Sequence, residues 1–385
     1  MKILTVIETG GGGSGRHILD LVTGLVASGH EIHIVYSPLR AEAAFEAKLL
    51  ALSGVTVVSM DIRKAVGMHD LSVLLELRRY IRDHGPFDIV HGHSSKGGAL
   101  GRLAATGTAA ARLYTPHGLY TLNPVLMPVK KKVYGMIEAL LARTISDGVI
   151  AVSAEEFDHA LALGIPAQKM YLVGNGVDRR DTAELATTRR EVRARLGVPD
   201  DLPVVGFVGR FCTAKAAERF VELARRIRDA GQDARFILLG SGRTAGDINS
   251  MISAYGLDDY LQVFPNESGE AFMPAFDIYT LTSRYEAMPY VLLEALAAGR
   301  PIVATDVGGS RTAVDDGGNG FVVPQQDDVS EMAAKVSLLL TDRALRQKMG
   351  HASFRKAQDF SLDSMVQGTT GVYESVISRP MAYAT

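Results

Sequence analysis

A single cysteine, Cys212, in 385 residues leaves nothing to pair with in an intramolecular disulfide, and a lone thiol cannot by itself build a zinc site. A reducing compartment is the expectation that follows. Charge of one sign is equally scarce. The 41 basic and 43 acidic residues leave a net −2, which removes the global basic field that drives non-specific nucleic-acid binding. Any anion site must therefore be local, and no nucleic-acid partner is expected. No apolar run reaches the length of a membrane span. The start, Met1 to Glu8, is too short in its apolar part for a secretory signal and runs straight into glycines. The expected location is the cytoplasm, with attachment to the inner face of the cell membrane left open. The remaining composition, 47% hydrophobic and 22% charged, is ordinary globular material, and its length suits two domains that each carry a full core.

Short Val- and Ile-rich runs alternate with helical patterns at Ile3 to Ile7, Ile32 to Tyr36, Val55 to Ser59, Asp88 to His91, Arg112 to Thr115 and Gly148 to Val152. This rhythm predicts parallel βαβ units with strands buried on both faces. A second series, Val204 to Val208, Phe236 to Leu239, Leu261 to Phe264, Ile278 to Leu281, Pro301 to Ala304 and Gly320 to Val323, repeats it. The fold class is thus α/β, with two Rossmann-like doubly wound sheets. Between them the turn Asn175-Gly176-Val177-Asp178 and the Arg-rich stretch that follows read as a linker. The expected division is residues 1–180, a linker at 181–200, a second domain at 201–360, and a last helix at 361–385. In that helix Leu362, Met365, Val366, Thr369, Val372, Tyr373 and Val376 recur at helical spacing, so it should pack back on the first domain. Open α/β sheets bind ligands beyond the carboxyl ends of their strands, so two facing sheets predict a cleft lined by loops of both.

The first such loop, Thr9 to His17, contains Gly10 to Gly13, Ser14, Gly15 and Arg16, follows a strand and opens a helix. Glycines there allow close backbone approach and a helix N-terminus attracts phosphate, yet a tight turn needs the same residues. The second predicted strand ends without the acidic residue of a nicotinamide site. In the second half, Gly209-Arg210-Phe211-Cys212-Thr213-Ala214-Lys215 puts two cations at a strand-to-helix turn. Arg210 can fork two oxygens of a diphosphate and Lys215 can act as a point charge; two solvated surface cations are the alternative. Downstream, Pro289 suits a first helical turn and Gly299 a helix end, which puts Glu286 in the entry loop and Glu294 inside the helix. Glu294 lies on an apolar stripe with Tyr290, Val291, Ala297 and Ala298, where a carboxylate needs a partner. Ligand hydroxyls would serve, and so would an internal ion pair.

These elements resemble the family-4 retaining glycosyltransferases of the GT-B fold over nearly the whole chain. The resemblance is carried by Glu286-x7-Glu294, Gly209-Arg210 to Lys215, Asn175-Gly176-Val177-Asp178 and Thr305-Asp306-Val307-Gly308-Gly309. It implies that a nucleotide sugar such as a UDP- or GDP-sugar is the donor. Its diphosphate would lie on Arg210 and Lys215, near Gly12 and Gly13 and the backbone amides of Met288, Tyr290 and Val291. By the same resemblance Glu294 would bind the ribose, Val263 and Phe264 would lie near the base, Glu286 would contact the transferred sugar, and His117 in Thr115-Pro116-His117-Gly118 would be the active-site histidine. Arg16, His17, His93 and Lys96 fall on the acceptor side, facing a saccharide or lipid-linked saccharide of bacterial polysaccharide or lipopolysaccharide assembly. No cofactor and no metal are expected, and no Asp-x-Asp element lies nearby. The chain departs from the pattern at Ala214 and Ala216, where Gln and Gly are frequent, at Ala287 in place of Gly, and at Thr312 in place of Glu. A methyl at Ala287 would narrow the space beside the donor sugar and restrict the backbone.

Two further stretches have open readings. His91 and His93, two apart at a strand end, lack an evident third metal ligand; His93 and Lys96 either face the acceptor or form a polar strand end. Pro124 to Ile137 joins apolar residues to Lys130, Lys131 and Lys132, which suits either an anionic membrane surface or a solvated helix face. Competing functions are a GT-B nucleotide-sugar epimerase, a phosphorylase, and a nucleotide-sugar-binding protein without transfer activity.

Overall fold

The structure, a computed structural model, describes residues 1–265 and 267–378. The chain divides into two compact units, Met1–Gly176 joined by the segment from Leu362 onward, and Val177–Ser361.

The first unit is built on a seven-stranded sheet. Its strands are β1 (Lys2–Ile7), β2 (Glu31–Tyr36), β3 (Val55–Ser59), β4 (Ile89–His93), β5 (Ala111–Thr115), β6 (Gly148–Ala151) and β7 (Met170–Leu172). They lie in the order β3-β2-β1-β4-β5-β6-β7, and every pairing is parallel. Ile3, Leu4, Val6 and Ile7 are all fully buried, as the unbroken apolar run of a central strand requires. One face packs against the helix Gly12–Ala27 through Ile18, Leu21, Val22 and Leu25. The final helix, Leu362–Ile377, enters the same core through Met365, Val366, Val372, Tyr373 and Val376, as its periodicity predicts. The three-residue edge strand β7 was not legible, being too short to show a period.

The second unit holds β8 (Val204–Val208), β9 (Arg235–Leu239), β10 (Leu261–Phe264), β11 (Ile278–Leu281), β12 (Ile302–Thr305) and β13 (Gly320–Val323). Their order is β10-β9-β8-β11-β12-β13, again parallel throughout. In each unit the order reverses beside the first strand, between β1 and β4 and between β8 and β11. A crevice opens at such a switch point, at the carboxyl ends of the strands.

The expected linker is corrected by the structure. Residues Thr182–Leu196 form a helix that belongs to the second unit, started by the Asp181 side chain, which accepts from Glu184 N at 2.7 Å, and ended at Gly197 with φ +64°. Its polar composition misleads because it docks through arginines and few apolar groups. Arg189 Nη2 and Arg193 Nη1 reach the two oxygens of Asp277 at 2.7 and 3.0 Å, and Arg189 Nη1 also donates to the carbonyls of Pro274, Ala275 and Phe276.

Candidate active site

In the second unit, the turn after β8 and the loop after β11 are tied together at the switch point. Arg284 N donates to the Ala214 carbonyl at 2.7 Å, and Thr282 Oγ1 donates to the carbonyls of Lys215 and Ala216 at 3.1 and 3.0 Å. Lys215 Nζ sits 2.6 Å from Glu286 Oε1, which also accepts from Ser283 Oγ at 2.7 Å. The cation and the first carboxylate of the Glu-x7-Glu element are thus direct partners. Arg210, in the turn after β8, is exposed. The helix Tyr290–Ala297 begins after Pro289, so the amides of Tyr290 and Val291 belong to its first turn and Met288 lies just before it. Glu294 lies inside that helix and is half-buried; a methyl added at Gly269 would stand 3.1 Å from its Oε2. Val263 and Phe264 close β10, the edge strand two places from the switch point, and Phe264 packs on Phe272 with ring centroids 5.6 Å apart.

The departures from the family pattern have local explanations. Ala216 adopts φ +50° and ψ 52°, the left-handed region that favours glycine. Ala216→Gly removes about 1–2 kcal/mol of backbone strain, but it forfeits a buried methyl and adds chain entropy of similar total. Urea unfolding is therefore expected to shift by less than about 1 kcal/mol; a larger loss would mean the methyl dominates. Ala287 is not among the residues with positive φ, so its methyl imposes no left-handed strain. The pair Gly308-Gly309 packs on this same loop: a Cβ at Gly308 would lie 2.4 Å from the Glu286 carbonyl oxygen, so only glycine fits.

In the first unit, the loops after β1, β4 and β5 gather histidines. Gly12 has φ +55° and, with Gly13, opens the helix that carries His17. His17 Nδ1 is 3.1 Å from Asn175 Oδ1, and His93 Nδ1 is 3.0 Å from His117 Nε2. His91 is satisfied by Tyr373 OH at 2.8 Å and Thr115 Oγ1 at 2.9 Å. His117 itself holds φ +56°, a strained conformation of the kind that persists only where its surroundings impose it. Those surroundings include Glu156. Its Oε1 accepts from the amides of Gly118 and Leu119 at 2.7 and 3.1 Å, and its Oε2 from Val152 N at 3.0 Å. Sequence reading missed Glu156, although Ser153-x-x-Glu156 before a helix is a capping signal, and Glu156 N does donate to Ser153 Oγ. It also missed Glu8, buried at the end of the β1 run, whose Oε2 accepts from Gly97 N at 2.8 Å.

Two acceptor-side expectations change. Lys96 Nζ donates to the carbonyls of Arg63 and Ala65 at 2.7 and 2.6 Å and to Asp70 Oδ1 at 2.7 Å. These occupy all three ammonium donors, so Lys96 clamps the preceding loop in this structure. Arg16 turns along its own helix to Asp20 at 2.6 Å.

Burial sets the charge state of the histidines. It holds His17 at about 4, despite Asn175, and His91 at about 3, and it carries His93 and His117 well below the usual imidazole range. All four are neutral at pH 7. The unfolded chain protonates these residues below about 6.5 and the folded chain does not, so their contribution to stability is complete above that pH and is lost as pH falls toward about 4. The slope is about 1.4 kcal/mol per pH unit for each histidine between its folded and unfolded values. Glu8, Glu138 and Glu156, raised chiefly by burial, act in the opposite sense above 4.5 and offset part of it. In chelator-treated protein the urea midpoint is expected to drop between pH 6.5 and 5.5; a flat midpoint would mean that the glutamates offset the imidazoles in full or that the imidazoles are charged.

Comparison with known proteins agrees with this arrangement. The family described as Glycosyl transferases group 1 matches residues 188–356, and the Glycosyl transferase 4-like domain matches residues 12–176. A D-inositol 3-phosphate glycosyltransferase of Kineococcus radiotolerans is 30% identical over 319 residues, covering 76% of this chain and 72% of the relative. An alpha-D-kanosaminyltransferase of Streptomyces kanamyceticus is 34% identical over 218 residues; that match spans 55% of this chain and about half, 56%, of the relative's length. Among solved structures, Anabaena HepE in complex with UDP-glucose superposes with a TM-score of 0.82 at 20% identity, covering 97% of this chain and 100% of that one. With both halves matched in order and two parallel sheets of Rossmann type, the chain belongs to the group 1 glycosyltransferases of the GT-B fold.

Proposed function

We propose that the protein transfers a sugar, with retention of anomeric configuration and without a metal ion, from a nucleotide-diphosphate sugar to a saccharide or lipid-linked saccharide. The observation that carries this reading is the Lys215–Glu286 pair at the switch point of the second unit, 2.6 Å apart and beside the exposed Arg210. Cleavage of the anomeric bond develops positive charge on the sugar and negative charge on the departing diphosphate. Arg210 and Lys215 are fixed cations, so they stabilise that state more than the ground state and take the part a metal would otherwise play. As the phosphate takes Lys215, Glu286 is released to accept hydrogen bonds from the sugar hydroxyls. Glu294 binds the ribose, and Val263 and Phe264 lie near the base. His117, held neutral by burial and posed by Glu156, can accept or donate a hydrogen bond at the reacting sugar. The acceptor hydroxyl attacks on the face the diphosphate leaves and passes its proton to a phosphate oxygen. Proton NMR of the product tests both claims: retained configuration formed in the presence of chelator is expected, whereas an inverted linkage or a magnesium requirement removes the corresponding claim.

Bacterial polysaccharide or lipopolysaccharide assembly suits such an acceptor. A phosphorylated cyclitol is the second reading, favoured by the D-inositol 3-phosphate glycosyltransferase relative. An acceptor panel containing both classes separates them. The helix Pro128–Thr144 bears on lipid-linked acceptors. Val125, Met127, Val129, Met136 and Leu140 are each at least 60% exposed and stand beside Lys130, Lys131 and Lys132, the combination an anionic membrane surface attracts. Co-sedimentation with phosphatidylglycerol vesicles, lost when the three lysines become glutamate, is the expected result; binding unaffected by that change contradicts it.

A further inference from the structure

Three imidazoles of the first unit converge on one point from three separate segments of the chain. His17 comes from the helix after β1, His93 from the end of β4 and His117 from the turn after β5. One ring nitrogen from each lies within 4.8 Å of the other two. Their ring centroids are 4.5, 5.2 and 5.7 Å apart. Rings that share one tetrahedral ion through nitrogens at about 2.1 Å stand with centroids roughly 5 Å apart, the spacing found here. We infer that His17, His93 and His117 form a binding site for a divalent transition-metal ion of the zinc class, with a fourth position open to water or a ligand hydroxyl.

Several further features fit an ion. His17 Nδ1 meets Asn175 Oδ1, which fixes that nitrogen as the donor and leaves the Nε2 lone pair for a metal, the outer-shell device that orients metal-bound histidines. His93 Nδ1 meets only His117 Nε2 among the described residues. Two nitrogens on one tetrahedral zinc lie about 3.4 Å apart, so the 3.0 Å between His93 Nδ1 and His117 Nε2 needs to open by only a few tenths of an ångström. Among the described residues no carboxylate joins the cluster, and three neutral nitrogens favour zinc, cobalt or nickel over magnesium or calcium.

No metal is expected from the sequence, since His91 and His93 lack an evident third ligand; in the fold His91 is satisfied by Tyr373 and Thr115, and His93 instead meets His17 and His117, which lie far from it in sequence. An ion here would engage His117, so it would stop transfer; this consequence rests on the catalytic reading of His117, whereas the binding itself does not.

Chelator-treated protein titrated with cobalt(II) should develop the intense visible absorption of a tetrahedral site at one ion per chain, and zinc should displace it. His17→Gln and His93→Gln, which keep side-chain bulk, should each abolish the signal; Asn175→Ala should weaken affinity by about 10- to 100-fold; and His351→Ala, at an exposed position in the second unit, should change nothing. Circular dichroism and the thermal midpoint certify the fold of each variant. Failure of the intact protein to bind either ion, or binding that survives both glutamine substitutions, overturns the site. Binding that follows the variants but leaves transfer unimpaired upholds the site and removes His117 from the reaction instead.

Discussion

Lys215→Ala is expected to lower kcat/KM for sugar transfer by about 10²- to 10³-fold, the loss seen when one fixed group that stabilises developing charge is removed. The loss should fall mainly on kcat, because the lysine meets more negative charge on the departing diphosphate than on the intact donor. Its present partner sharpens the expectation. Lys215 is bonded to Glu286 at 2.6 Å, so the alanine variant also leaves that carboxylate oxygen with only the Ser283 hydroxyl among the described residues, in a site where the donor sugar must bind. Glu286→Gln keeps the shape and removes the charge, and should recover little activity when combined with Lys215→Ala, because the two act as a unit. Release of nucleoside diphosphate at saturating donor measures kcat directly. A Lys215→Ala enzyme within a few-fold of the parent would assign the lysine a structural part and leave the diphosphate to other groups.

Asp277→Ala is expected to destabilise the second unit by about 3–5 kcal/mol, the cost of leaving the half-buried Arg189 without its counter-charge and the buried Arg193 with only the exposed Asp200 at 3.8 Å. The carboxylate takes Arg189 on one oxygen at 2.7 Å, Arg193 on the other at 3.0 Å, and the amide of Val204 at 2.8 Å. Arg193 is 1% exposed and cannot turn to water when its partner is lost. The nearby Arg300 is pushed by burial down to about 10, and the other guanidiniums add to that, so this corner already holds an excess of positive charge. Asp277→Asn keeps hydrogen-bonding capacity and loses only charge, so it should fall between the parent and the alanine variant. Urea unfolding followed by circular dichroism resolves the three; an alanine variant within about 1 kcal/mol of the parent would show that the arginines find carbonyls enough without the carboxylate.

The central parallel strands were legible because strands buried on both faces are continuous apolar runs, as in β8 and β11, and the partly exposed edge strands β3 and β10 still showed as short Val- and Phe-containing runs at the bounds expected. The helix Thr182–Leu196 was not, since its docking rests on arginine and carbonyl groups that look like solvated linker until their partners are seen. Residues close in sequence were well placed: Glu286 in a loop, Glu294 in a helix, and Arg210 and Lys215 in one turn. What local spacing cannot carry is long-range pairing. His17 with Asn175, Glu156 with the amide of Gly118, and Lys96 with Asp70 each join distant segments, so both the histidine cluster and the saturation of Lys96 emerge only from the fold.

The most direct test of the central claim is a thermal-shift series of the purified protein with UDP-, GDP- and ADP-sugars, each with chelator and with magnesium. A rise in Tm selective for one nucleotide, present in chelator, absent in Arg210→Ala and reduced in Glu294→Gln is the predicted result. No rise with any nucleotide sugar, or a rise that both variants retain in full, would contradict a donor site on the β8 and β11 loops.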